Sequence, residues 1–398
     1  MTPFDQNSLL ELAKHNQTPF YAYNAATIQR DYLSLRQALP DQFRILYSMK
    51  ANPHRQIVQF MKSVGTDIDV ASLRELQLAQ DVGFLPEQIS FVGPGKSKQE
   101  LQAIVQAKIS CTVVESLSEL EQLDQIAQQS NLRTRACVRV NPMQYIAQSG
   151  RPVNAASSQF GIDEEQLGEF LKVARTCRSI DIVGVHFYLH SQFLNADNLV
   201  TNFINFIEIA CEFQRQLDRP LQIVNLGGGF GIIYFNGQKP LDLELLHHKL
   251  HQVMTSESAQ ILREARFMVE SGRFLVGPSG VFVSRVLYRK RSRDKIFLVC
   301  DGGLAQHLAA TGAGQIIRKN FPISLLSAST NETQLRERVT IVGPSCYSLD
   351  VLGHDVDLPQ AAVGDLICIG NSGAYGPTFS PTHFLSPAPT REIFVAEN

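Results

Sequence analysis

Short apolar, β-branched runs alternate along much of the chain with longer stretches whose apolar residues recur every three to four positions. The short runs predict strands over Arg44–Ala51, Gly65–Ser72, Ile89–Gly95, Cys111–Ser116, Thr134–Asn141, Asp181–Tyr188, Gln222–Gly229 and Arg266–Ser271. Stretches such as Lys98–Ala107 and Leu117–Gln128 predict amphipathic helices between them. The first five strands begin at 44, 65, 89, 111 and 134, steps of 21 to 24 residues that hold one strand, one helix and tight turns. Eight such units suggest an α/β fold, a (β/α)8 TIM-like barrel, because parallel neighbours need right-handed helical crossovers. After Gly280 the helical period thins out. Strand-like runs take over at Val281–Tyr288, Lys295–Cys300, Arg338–Val342, Leu366–Ile369 and Glu392–Ala396. They read as a mostly antiparallel C-terminal β domain. The expected division is a barrel over residues 25–280 and a β domain from 1–24 plus 281–398, with Phe20–Tyr23 as an extra strand.

Charge and composition narrow the partners. The 398 residues carry 36 Lys+Arg against 38 Asp+Glu, a formal charge of −2, which gives no reason to expect nucleic acid or an anionic membrane. Hydrophobic residues make up 44% and charged residues 19%, a balance that favours a buried core over disorder. The N-terminal stretch MTPFDQNSLLELAKHNQTPF lacks the basic-then-apolar order of a secretory signal. No apolar run approaches the ~20 residues that span a bilayer. Seven scattered cysteines with no CxxC fit a reducing, cytoplasmic location and no zinc site. The run Arg289–Lys295 (RKRSRDK) reads as a solvated hairpin turn, with a docking patch for an acidic partner as the alternative.

In a (β/α)8 barrel the chemistry sits at the C-terminal strand ends. Here those ends carry Lys50, Asp69, Gly93-Pro94-Gly95, Arg139 with Asn141, His186 through Tyr188 to Ser191, Gly227-Gly228-Gly229 and Glu270-Ser-Gly-Arg273. Each has a bland alternative: a surface lysine, a tight glycine turn, a core histidine, a structural Glu270–Arg273 ion pair. Together they are complementary. A desolvated lysine has a lowered pKa and becomes a nucleophilic amine able to form a Schiff base. Strand-end glycines let backbone N–H groups approach a phosphate, and Ser191 and Arg273 complete an anion site. Glu270 can hold a proton on a ring nitrogen. That set describes a pyridoxal 5′-phosphate site.

The motifs YSMKANP around Lys50, DVAS from Asp69, RVNP from Arg139, QFGI at Gln159–Ile162, NLGGGFG at Asn225–Gly231, ESGRF at Glu270–Phe274, GPSCYSLD at Gly343–Asp350 and GAYG at Gly373–Gly376 extend this picture. With them the chain resembles the fold-type III PLP-dependent decarboxylases, the group of diaminopimelate, ornithine and arginine decarboxylases, with an alanine-racemase-like fold. The resemblance runs from Thr18 to the C-terminus. It implies that Lys50 bonds covalently to the cofactor, that Glu270 pairs with the pyridine nitrogen, and that Ser191, Gly227, Gly228, Gly229, Gly272, Arg273 and Tyr375 hold the phosphate. It also implies that Asp69 and Arg139 support the lysine. Cys346 would cross a homodimer interface and return a proton to the substrate carbon after carbon dioxide leaves. Alanine racemases place an arginine at the ring nitrogen, so a carboxylate there implies decarboxylation.

The chain departs from its relatives at two places. The strand-six motif H-x-H-x-G-S is His186-Phe-Tyr-Leu-His-Ser191, so Tyr188 replaces the stacking histidine and His190 puts bulk beside the phosphate. After the cysteine stands Tyr347, where diaminopimelate decarboxylases have Glu and ornithine decarboxylases Asp. A bare distal cation would lose a charge-assisted bond worth ~1.5–3 kcal/mol. The segments Cys300–Pro322 and Gly373–Pro389 are similar instead to a biosynthetic subgroup. Its members act on a glutamyl group held on an acyl carrier protein or on a citryl-diaminopropionate siderophore intermediate. Arg151, His190, His307, Arg318 and Tyr347 are the candidate distal contacts. The alternatives are a diaminopimelate decarboxylase of lysine synthesis and a catalytically silent homologue that binds a partner.

Overall fold

The computed structural model describes residues 2–235, 237–313, 319–326 and 335–396. Eight parallel strands form a closed barrel: Phe43–Ser48, Asp67–Val70, Ile89–Phe91, Cys111–Val114, Thr134–Asn141, Ile180–Phe187, Ile223–Asn225 and Arg266–Ser271. Each pairs with the next, and Phe267↔Phe43 joins the eighth strand to the first. All eight fall on the runs read from the sequence, most of them shorter, because the last residues of each run leave the sheet to build the rim above it.

Serines just beyond the strands start the helices that follow. Ser72, Ser97 and Ser116 each accept a backbone N–H of the first turn of the helix that follows, and Glu100 returns the bond to Ser97. Each cap contributes about 1 kcal/mol and fixes where the chain turns back over the sheet. Inside the barrel Leu46, Val92, Cys111, Val113, Cys137, Val183, Ile223 and Met268 pack into one buried cluster. Branched and sulfur-bearing side chains from successive strands thus fill the lumen, which is a packed floor rather than a channel.

The chain leaves the barrel through Gly280–Ser292, the longest strand of a second sheet. That sheet runs in the order Ile323–Leu326, Leu366–Ile369, Gly280–Ser292, Lys295–Cys300, Arg336–Val342 and Val351–Pro359. Phe20–Asn24 lies antiparallel to Gly280–Ser292 and parallel to Arg391–Val395. Lys295–Cys300 and Arg336–Val342 are also parallel, and the other pairings in this sheet are antiparallel. Ile323–Leu326 and Val351–Pro359 were not legible in the sequence. The second carries a glycine, a histidine and two aspartates, because it is an edge strand with one wet face. The basic run is a hairpin turn: Ser292 pairs with Lys295, and Arg293 takes φ 57° between the strands. Among the described residues no helix is long and apolar enough to cross a membrane.

Candidate active site

The motifs meet because backbone holds them together. Lys50 lies in a single 3-10 turn, Met49–Ala51, directly beyond the first barrel strand. The Ala51 carbonyl accepts the Tyr375 N–H at 2.8 Å, and the Asn52 amide donates to the Gly373 carbonyl at 2.9 Å. A Cβ at Gly373 would lie 1.8 Å from the Val276 carbonyl oxygen, so only glycine lets this loop of the β domain close onto the barrel. Tyr375 itself takes φ 55°, an unfavourable backbone region that these contacts impose.

Lys50 Nζ stands 3.6 Å from Asp69 Oδ2 and 5.6 Å from the centre of the Tyr188 ring. Burial pushes the Lys50 ammonium down, but Asp69, then Glu270 and the Tyr375 and Tyr188 phenols, outweigh it and raise its pKa. The sequence-based expectation of a lysine lowered by desolvation is therefore corrected, because two buried carboxylates were not counted in it. Asp69 is buried and neither of its oxygens has a hydrogen-bond partner. Its own pKa is raised, chiefly by burial and by Glu270.

Glu270 sits on the eighth strand at the centre of the barrel mouth. Its Oε1 lies 3.0 Å from His186 Nε2 and accepts the Asn225 amide at 2.9 Å. His186, next to last in the sixth strand, and Asn225, last in the seventh, are register partners, which delivers both to the same oxygen. Burial opposes ionisation of Glu270, but His186, then Lys50 and the Asn225 amide, win and hold its pKa at about 2. No Glu270–Arg273 ion pair forms among the described residues, since Arg273 turns to Tyr234.

The anion end is built on the seventh strand's exit. Gly227 takes φ 69°, and a Cβ there would lie 2.0 Å from the Phe187 carbonyl oxygen. Ser191, Gly228, Gly229, Gly272, Arg273 and Tyr375 line one small pocket that shares Lys50, Tyr188 and Glu270 with a larger cavity. Arg273 donates to the Tyr234 hydroxyl at 2.9 Å and lies 4.7 Å over the Tyr375 ring. Its Nε is buried without a partner. An unpaired guanidinium N–H and a side-chain-free backbone turn in one pocket fit a phosphate, and Glu270 and Lys50 fit the ring and aldehyde of pyridoxal.

Arg139 lines the same cavity as Lys50, and its charge is engaged by Glu115. Its Nη1 lies 3.1 Å from both oxygens of Glu115, and its guanidinium stacks 4.5 Å over the Phe160 ring. Glu115 also accepts the Gly93 and Gly161 N–H groups, both at 3.2 Å, so it ties three strand-end loops together. Glu115, Asn225 and Tyr234 were missed by the sequence reasoning. Glu115 directly follows the fourth strand and Asn225 opens the glycine motif, so position was a signal for both, whereas Tyr234 carried none.

The candidate distal contacts scatter. His190 faces Tyr145, with its Nε2 3.0 Å from the hydroxyl, and lines the larger cavity rather than crowding the phosphate pocket as expected. Arg151 is exposed at the tip of a hairpin, Gln144–Ile146 paired with Pro152–Asn154. His307 is not a distal contact. It is fully buried in the β domain, 2.9 Å from the Ser372 hydroxyl, and burial lowers its pKa to about 3. Arg318 lies outside the described residues. Cys346 and Tyr347 are exposed on a loop outside the Lys50 cavity. Asp350 organises that loop by accepting the Leu304 and Ser345 N–H groups at 2.6 and 3.1 Å.

Comparison with known proteins agrees with this chemistry. The family model for the pyridoxal-dependent decarboxylase, pyridoxal binding domain, matches residues 25–277. L-glutamyl-[BtrI acyl-carrier protein] decarboxylase of Niallia circulans is 34% identical over 387 residues, 97% of this chain and 90% of the relative. Diaminopimelate decarboxylase of Aquifex aeolicus is 29% identical over 391 residues, 96% of this chain and 87% of the relative. The Helicobacter pylori diaminopimelate decarboxylase structure, complexed with L-lysine, superposes with a TM-score of 0.85 at 26% identity, covering 98% and 94% of the two chains. The chain belongs to the pyridoxal-dependent decarboxylase family, and it is a PLP-dependent carboxy-lyase.

Proposed function

From that membership, we propose that the protein is a cytoplasmic homodimer that α-decarboxylates an amino acid whose distal end is acylated, with a glutamyl group on an acyl carrier protein as the leading substrate. The whole-length similarity to the carrier-linked glutamyl decarboxylase carries this reading. A citryl-diaminopropionate intermediate of a siderophore belongs to the same substrate class. Diaminopimelate is the rival substrate, favoured by the whole-length similarity to diaminopimelate decarboxylases.

Pyridoxal phosphate supplies the electron sink for the pair left when the bond between Cα and the carboxylate breaks. Lys50 would hold the aldehyde end of the cofactor. Glu270, kept ionised, holds a proton on the ring nitrogen. Ser191, the Gly227–Gly229 turn, Gly272, Arg273 and Tyr375 would hold the phosphate, and Tyr188 would offer its ring face to the cofactor. Asp69 keeps Lys50 charged when it is free, and Arg139 with Glu115 braces the rim. Carbon dioxide leaves, and Cys346 of the partner subunit gives a proton to Cα.

Exposed apolar side chains beside the cysteine loop support the dimer. Tyr347, Leu349, Phe379, Phe384 and Leu385 are all solvent-facing in one chain, and the Tyr347 and Phe384 rings are 6.2 Å apart. A second copy covering them would bring Cys346 to a neighbouring site. The test is carbon dioxide release from meso-diaminopimelate, ornithine, lysine, carrier-bound glutamate and citryl-diaminopropionate. Turnover confined to the last two supports the proposal, and brisk turnover of diaminopimelate replaces it with the lysine-pathway reading. Mixing inactive Lys50→Ala and Cys346→Ala proteins should restore partial activity, whereas no recovery on subunit exchange removes the shared site.

A further inference from the structure

The larger cavity, about 480 Å³, runs past the cofactor residues to an outer wall that the roles above leave unused. The wall is the hairpin Gln144–Ile146 with Pro152–Asn154, the segment 155–158 that follows it, and His190 facing Tyr145. Three asparagines on one face of helix Ala196–Leu217 grip the hairpin by its backbone. Asn202 accepts the Ile146 N–H at 2.7 Å and donates to the Ile146 carbonyl at 2.9 Å. Asn205 donates to the Gln144 carbonyl at 3.0 Å, and Asn198 to the Gln148 carbonyl at 3.4 Å. On the other flank the Glu164 carboxylate accepts the Met143 N–H at 2.8 Å. So many backbone anchors make a fixed wall rather than a loose lid.

Its side chains are small or hydrogen-bonding: Ala155, Ala156, Ser157, Ser158 and the Tyr145–His190 pair. The charged groups that line the cavity are already engaged. Lys50 faces Asp69, Arg139 is held by Glu115, and Glu270 by His186 and Asn225. Among the described lining residues, no carboxylate and no guanidinium is left for a charged distal end. A substrate carboxylate or ammonium held against this part-exposed wall would find no carboxylate or guanidinium to replace its water, whereas hydroxyls can satisfy an acyl oxygen.

We infer that this wall is a subsite for an uncharged acyl linkage, a thioester or an amide, at the distal end of the substrate, with Tyr145 and His190 as its hydrogen-bonding pair; the inference rests on the decarboxylase reading and deepens it. The wall offers a distal charge no carboxylate or guanidinium partner and offers a neutral linkage hydrogen bonds. The arm beyond the linkage leaves through the open side of the cavity.

The test uses the full-length PLP-loaded protein with L-glutamate, γ-glutamyl ethylamide and L-lysine. Two quantities are read: carbon dioxide release, and the ligand-induced change in the visible absorption of the bound cofactor, which reports binding without turnover. γ-Glutamyl ethylamide is expected to exceed L-glutamate and L-lysine by about 100-fold in kcat/KM, mostly through KM. Tyr145→Phe should cut that preference about tenfold at unchanged cofactor absorption. Ala156→Asp, on an exposed segment, should weaken ethylamide binding and improve that of lysine. Equal binding of all three ligands to the parent protein overturns the subsite, whatever the carbon dioxide result. Preserved selectivity in binding with no carbon dioxide from any ligand supports the subsite and overturns decarboxylation instead.

Discussion

Replacing His186 with Leu should expose how Glu270 is kept ionised. In the folded protein Glu270 has its pKa moved from 4.5 to about 2, although it is buried. That difference corresponds to about 3 kcal/mol favouring the ionised form. His186, 3.0 Å away, is the largest favourable influence, ahead of Lys50 and Asn225. Its loss should destabilise the cofactor-free protein by about 2 kcal/mol at neutral pH, the worth of a buried charge-assisted hydrogen bond. The sign then changes with pH. A carboxyl with a depressed folded pKa contributes stability that is full above 4.5 and is lost as pH falls toward about 2. In the leucine variant burial dominates, the folded pKa rises above its unfolded value, and acidification through it stabilises the fold. Urea unfolding from neutral pH down to about 4 should therefore show the gap between parent and variant narrowing as pH falls. His186→Gln, which keeps a donor, should recover part of the loss. A gap that stays constant with pH, or no gap at all, would refute the assignment of His186 as the group that holds Glu270 ionised.

Three further outcomes follow from the same geometry. Glu115→Gln leaves Arg139 buried with no counter-charge, and denaturant unfolding should register a loss of about 3–5 kcal/mol; a loss below 1 kcal/mol would mean that the pair is solvent-screened. Gly227→Ala places a Cβ 2.0 Å from the Phe187 carbonyl in a left-handed backbone, so PLP titration followed by absorbance should show cofactor affinity falling well before the far-UV signal changes. Asp350→Ala removes the acceptor for Leu304 and Ser345, costing about 1–3 kcal/mol by thermal or urea melts. Cofactor absorption should persist in it, while decarboxylation slows because the Cys346 loop is no longer held.

The barrel was legible because its information is local. Strand-and-helix alternation is a short-range pattern, and a parallel sheet with tight crossovers has few ways to close. Once it closes, strand ends converge, so Lys50, Asp69, Glu270 and the glycine turn could be placed at one rim from their sequence positions alone. Family motifs then tied the set to pyridoxal phosphate. Partners that come from distant segments were not legible. Nothing in the sequence says that Glu115 neutralises Arg139, that Tyr234 binds Arg273, or that His307 points into the β-domain core. The ionisation of Lys50 was misjudged for the same reason. Burial of one residue can be guessed from its neighbours in sequence, but Coulombic interaction depends on separation in space, and Asp69 and Glu270 reach Lys50 only when the barrel closes. The cavity wall at Tyr145 and His190 likewise exists only because a helix some fifty residues further on, through Asn202, grips the hairpin. The sequence by itself determined the barrel strands, the rim residues carried by its motifs, and the cofactor. The tertiary structure decided which charges are paired, and so which part of the cavity is left uncharged for the substrate.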